Sequence, residues 1–123
     1  MMNQGPMNLQ IRNVRNVAIL DLDGRLIMGE PATTLRNAVH SLLDGGKKNL
    51  AINLADIKYI DSSGIGCLAA AWTTSRKVGA NCRLFAIPKK VMLMFKISHL
   101  DTVFHIFEDE ATALNSFSAE TVN

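Results

Sequence analysis

The sequence predicts an α/β fold: a mixed sheet of about five strands, an N-terminal antiparallel hairpin and about four helices. Three observations carry that expectation. Two strand-like segments open the chain, the first alternating apolar and polar, separated only by the polar pair Arg15-Asn16. Helical and strand-like patterns then alternate to the C-terminus, an order that implies parallel pairing through crossover helices. The 123 residues are 48% hydrophobic and 20% charged, enough apolar material for one core. A single domain over 1–123 is expected, with 1–7 and 118–123 as loose tails.

The elements follow in order. Leu9 to Val14 alternates and reads as a half-buried strand. Val17 to Asp23 reads as a second strand, ended by Gly24. Pro31, preceded by Glu30, opens a helix whose buried face is Leu35, Ala38, Val39 and Leu42. Asp44-Gly45-Gly46 stops it. Asn49 to Leu54 is the third strand, with a loop expected from Ala55 to Asp61. A helix from Gly64 to Val78 then presents Ile65, Leu68, Ala69 and Trp72 at helical spacing. Arg83 to Ile87 is the fourth strand, and Pro88 starts a helix carrying Val91, Met92, Met94, Phe95 and Leu100. Val103 to Phe107 is the fifth strand. Glu108-Asp109-Glu110 leads a last short helix, Ala111 to Phe117, where acids suit the positive end of the dipole.

Composition narrows the function. A net charge of +2 with scattered basic residues does not suggest direct nucleic-acid binding. No apolar run approaches the roughly 18 residues of a membrane helix, and no basic-then-apolar signal pattern opens the chain, so a cytoplasmic location is expected. Cys67 and Cys82 have neither a metal-ligand nor a redox spacing and read as buried or half-buried side chains.

The chemistry concentrates at Tyr59-Ile60-Asp61-Ser62-Ser63-Gly64-Ile65-Gly66. Asp and Ser before a helical pattern are favoured caps, because their oxygens accept orphan backbone N–H groups. Gly64 and Gly66 are poor interior helix residues, which suggests close approach by another surface. Three chemistries suit such a site. A serine nucleophile needs a base, and His40, His99 and His105 are available, but no G-x-S-x-G elbow surrounds Ser62. Aspartyl phosphoryl transfer is suggested by Asp21-Leu22-Asp23-Gly24-Arg25, which resembles the first motif of haloacid-dehalogenase-like phosphatases. Asp21 and Asp23 would then hold Mg²⁺ and attack phosphate. Arg25 stands in place of that motif's Thr, and no later acidic metal motif appears. The third chemistry is a phosphorylatable serine on a binding module.

The stretch Ala55-Asp56-Ile57-Lys58-Tyr59-Ile60-Asp61-Ser62-Ser63-Gly64-Ile65-Gly66 resembles the signature of STAS domains, in particular bacterial anti-sigma factor antagonists. The similarity extends to Gly24-Arg25-Leu26 with Thr34-Leu35, and to Val103 through Glu108. The resemblance implies a non-enzymatic switch without cofactor or metal. Ser62 would be phosphorylated by an anti-sigma factor acting as a serine kinase, with Ser63 the less favoured acceptor. Asp61, Ser62, Ser63, Gly64, Ile65, Gly66, Gly24 and Arg25 would form the partner face. Unphosphorylated protein would bind the anti-sigma factor and free a sigma factor, and a PP2C-type phosphatase would restore it after phosphorylation. A weak homodimer is compatible with this scheme. Ile27-Met28 stand where family members often carry a polar residue. The competing reading is a STAS interaction module of another phospho-regulated assembly, or one that binds a small ligand.

Overall fold

The computed structural model describes residues 6–121, the side chains of 118–121 excepted. The elements run β1 (Met7–Val14), β2 (Val17–Leu26), α1 (Glu30–Asp44), β3 (Asn49–Ile60), α2 (Ser62–Lys77), β4 (Asn81–Phe85), α3 (Lys89–Ile97), β5 (Ile106–Phe107) and α4 (Glu110–Thr121). The strand order in space is β1-β2-β3-β4-β5, antiparallel at the first pair and parallel after it. This is the predicted mixed sheet with its N-terminal hairpin and four helices. Arg15 and Asn16 form the hairpin turn, both with positive φ (50° and 65°). Two such residues twist the turn in the sense that matches the strands.

A strictly sequential parallel order with right-handed crossovers places successive helices on one face of the sheet. The packing agrees. Leu35 and Val39 of α1, Ile65 and Leu68 of α2, and Val91 and Phe95 of α3 share one core with Leu20, Leu22, Leu50, Ile52, Leu54 and Leu84. The opposite face is covered by α4: Ala113, Leu114 and Phe117 pack on Val17, Ile19, Ala51 and Phe85. Apolar residues of both parities are therefore buried in the early parts of β2 and β3, which explains their nearly continuous apolar runs.

Several boundaries differ from the sequence expectation. Met7 is not tail: it is the first residue of β1 and is buried in the main core. Residues 1–5 of that expected tail and residues 122–123 lie outside the described residues. Residues 118–121 belong to α4 rather than to a frayed end. Gly24 does not end β2, which passes through it at φ 119° and continues to Leu26. Of the expected loop Ala55–Asp61, residues Ala55–Ile60 are strand, because β2 supplies a partner for them as far as Leu26↔Ile60. Strand β4 occupies 81–85, two residues earlier than expected, and β5 is only Ile106–Phe107.

Candidate functional site

Strand β3 hands over to α2 through one residue, Asp61. Its backbone is extended (φ −109°, ψ −176°), as a residue preceding a helix should be. The carboxylate is engaged on both sides. Oδ1 accepts the Gly64 N–H at 2.8 Å and caps α2. Oδ2 accepts the Met28 N–H at 3.1 Å, across 33 residues of sequence. The Asp61 N–H donates to the Leu26 carbonyl (3.3 Å), and the Asp61 carbonyl accepts the Ile65 N–H (3.0 Å). The exit of β2 and the start of α2 are thus joined through one side chain and its backbone.

Helix α2 begins at Ser62, two residues before the expected start. Ser62 is exposed and Ser63 half-buried. The Ser62 hydroxyl makes no hydrogen bond among the described residues. It stands in the first turn of a 16-residue helix, where backbone N–H groups and the dipole favour negative charge. His40, His99 and His105 are exposed, and among the described residues none of the three hydrogen-bonds Ser62.

The two glycines of the motif separate in role. A Cβ on Gly64 would lie 2.2 Å from the Leu26 carbonyl oxygen and 2.7 Å from Ile60 Cγ1. The close approach expected there is made by the chain's own backbone, and Gly64 is buried. Ile65 is likewise in the core, so its side chain faces inward. Gly66 is exposed, with open space where a side chain would stand. Gly24 lies farther along β2, on a rung with Ile57, and a Cβ there would meet the Pro6 carbonyl oxygen at 2.1 Å. Its glycine lets β1 and β2 close. Arg25 is exposed, its N–H bonded to the Pro6 carbonyl (2.8 Å) and its rung shared with Tyr59.

The end of β2 therefore lies beside the end of β3 and the start of α2. In these segments Arg25, Met28, Tyr59, Ser62 and Gly66 are exposed. Met28, at the end of the Gly24–Met28 segment expected beside this loop, is 72% exposed, and Tyr59, which the expected partner face did not include, is 55% exposed.

The acidic pair on β2 is accounted for differently. Asp21 Oδ1 accepts from Arg12 Nη2 (3.0 Å) and from Asn53 Nδ2 (2.8 Å), while Arg12 also reaches Glu110 (2.8 Å). The Arg12 guanidinium, helped by Asn53, holds the Asp21 carboxyl below its usual range. Asp21 is thus a structural ion-pair member, and Asp23 is exposed. Among the described residues no group of three or more His, Cys, Asp or Glu could hold a metal ion. The two cysteines are free and buried. Cys67 Sγ donates to the Ala32 carbonyl at 3.2 Å, and burial pushes the Cys82 thiol up to about 12. No helix among the described residues is long and apolar enough to cross a membrane.

Comparison with known proteins gives a consistent picture. The profile of the STAS domain matches residues 8–113. A Thermotoga maritima protein assigned as an anti-sigma factor antagonist superposes with a TM-score of 0.81 at 22% identity, covering 88% of this chain and 92% of its own. The anti-sigma factor antagonist SpoIIAA, unphosphorylated, superposes at 0.78 with 19% identity, covering 94% and 100%. SpoIIAA from Bacillus is also known in a phosphorylated form, which superposes at 0.70 with 18% identity over 89% and 99%. The murine anion transporter Slc26a9 contains the same fold: TM-score 0.71 and 22% identity, over 88% of this chain and 18% of the transporter.

Proposed function

This chain belongs to the STAS domain family, and from that premise we propose that it is an anti-sigma factor antagonist switched by phosphorylation of Ser62. One observation carries the reading: the Ser62 hydroxyl is exposed and unbonded in the first turn of α2, immediately after the capping Asp61. The unmodified hydroxyl and the surrounding Arg25, Met28, Tyr59 and Gly66 form a face for an anti-sigma factor that is itself a serine kinase. Binding sequesters that factor and frees a sigma factor. Phosphorylation adds about −1.5 to −2 charge to the face and releases the partner. A PP2C-type phosphatase returns the chain to its binding form. The protein acts in the cytoplasm and catalyses nothing: it presents a hydroxyl and a surface.

The experiment is incubation with ATP and each anti-sigma serine kinase of the same genome, followed by peptide mass spectrometry. Phosphate on Ser62, absent from Ser62→Ala, supports the reading; phosphate on Ser63 moves the acceptor, and no labelling by any such kinase removes it. The occurrence of this fold inside an anion transporter favours, as second reading, an interaction module of another assembly. In that case Ser62 is a helix-start residue and no kinase labels it.

A further inference from the structure

Strand β3 outruns β4. Their last shared rung is Asn53↔Phe85, yet β3 continues to Ile60. Beyond that rung the β4 chain turns away through Ala86, at φ 61°, and Pro88 into α3. The divergence opens a groove of about 370 Å³ between the late part of β3 and the first turn of α3. It is lined by the apolar Ala55, Ile57, Pro88 and Val91 and by Lys58, Lys89 and Lys90, the Lys58 amine also donating to the Asp56 carbonyl at 3.4 Å. No carboxylate lines it, and none of these lysines forms a salt bridge among the described residues. All three are exposed. The groove opens at the end of the sheet where β3 delivers Ser62, since parallel strands end on the same side.

We propose that this groove docks an extended acidic segment of the partner protein, a second contact beside the Ser62 face. The inference rests on the proposed function for the identity of the partner, though not for the chemistry of the groove. The lysines supply charge complementarity, which steers encounter and fixes register. The apolar walls suit alternate side chains of an extended segment, and β3 has no strand partner on its β4 side there. The same features argue against nucleic acid: three charges make a short basic footprint, and no aromatic ring in the groove offers a stacking platform.

The test has two arms. In the first, ¹⁵N-labelled protein is titrated with a short peptide alternating Glu and Leu, and in parallel with one alternating Lys and Leu. Amide shifts confined to residues 55–58 and 88–91, seen only with the acidic peptide and weakened by salt, are expected. Equal response to both peptides, no response, shifts elsewhere, or a stronger response to duplex DNA or anionic vesicles overturns the proposal. In the second arm, Lys89→Glu/Lys90→Glu is compared with wild type for affinity to the anti-sigma kinase that binds the chain. Acidic residues suit the first turn of a helix, so α3 is retained. A loss of tenfold or more, with a flattened salt dependence, is expected; unchanged affinity overturns the groove and leaves the Ser62 reading intact. Acidic-peptide binding in the groove with no kinase binding or labelling does the reverse.

Discussion

Asp61 Oδ2 sits 3.1 Å from the Met28 backbone nitrogen. That contact makes the capping residue of α2 also the anchor of the β2–α1 connection, so one carboxylate ties the first turn of α2 to the segment that carries the exposed Met28.

Removing that carboxylate should be felt in stability. Asp61→Ala loses the cap, worth about 0.5–2 kcal/mol, and the bond to Met28, worth about 1 kcal/mol. Asp61→Asn keeps one acceptor oxygen and should lose less. Urea unfolding of the three proteins checks the ranking. An Asn variant as unstable as the Ala variant would show that charge, not the cap geometry, holds the junction.

Gly64 and Gly66 should respond in opposite ways. Gly64→Ala drives a methyl into the Leu26 carbonyl. Overpacking of this kind costs about 1–3 kcal/mol or more, beyond the roughly 1 kcal/mol that Ala gains in helix propensity. Gly66→Arg meets open space and should fold as wild type while losing affinity for the partner. Thermal melts and a binding titration on both variants separate the roles. A destabilised Gly66→Arg would place that position in the packing.

Phosphate on Ser62 should leave the fold unmoved. The helix start favours the anion by about 0.3–1 kcal/mol. The adjacent Asp61 opposes a charge of about −1.5 to −2 by about 1.2–1.7 kcal/mol at ~5 Å in water. The two terms oppose and leave a net of about 1 kcal/mol, whereas an unpaired charge in an interface costs several kcal/mol. At 1.4 kcal/mol per decade, ~3 kcal/mol exceeds a hundredfold. Melts of the two forms should nearly coincide while partner affinities diverge. A fall in Tm of ten degrees or more on phosphorylation would show that unfolding drives release.

The Arg12–Asp21 pair gives a pH signature. The folded Asp21 carboxyl is held below its ordinary value, chiefly by Arg12. A depressed folded pKa contributes stability that is complete above the unfolded pKa, near 3.9, and is lost as pH falls through the folded one. Asp21→Asn should therefore be less stable than wild type at neutral pH and converge with it in acid. Denaturant midpoints at neutral pH and below pH 3 check this; a gap that persists in acid assigns the loss to packing.

The Asp61 cap was legible in the sequence because capping is local: the acceptor and the Gly64 N–H lie three residues apart. The alternation of helix and strand was legible for the same reason. What was not legible depends on pairing. Ala55 to Ile60 reads as a loop because its inward residues, Ile57 and Ile60, are three apart rather than two. The irregular register of β2 against β3 at Asp21/Asp23 and Gly24/Arg25 produces that spacing, and no local pattern reports it. The role of Gly64 was hidden likewise, since its neighbour Leu26 is distant in sequence. Met7 looked like tail because only the approach of Pro6 to Gly24 brings it into the core.

The sequential strand order has a consequence for how the chain is made. A ribosome delivers the N-terminus first, at about 5–20 residues per second. Here the hairpin β1–β2 can zip by itself, and each later strand joins the most recently formed edge. No strand must insert between two that have already paired. Synthesis direction and the order of strands across the sheet run the same way, and α4, whose Glu110 accepts from Arg12, ties a late element back to the first strand.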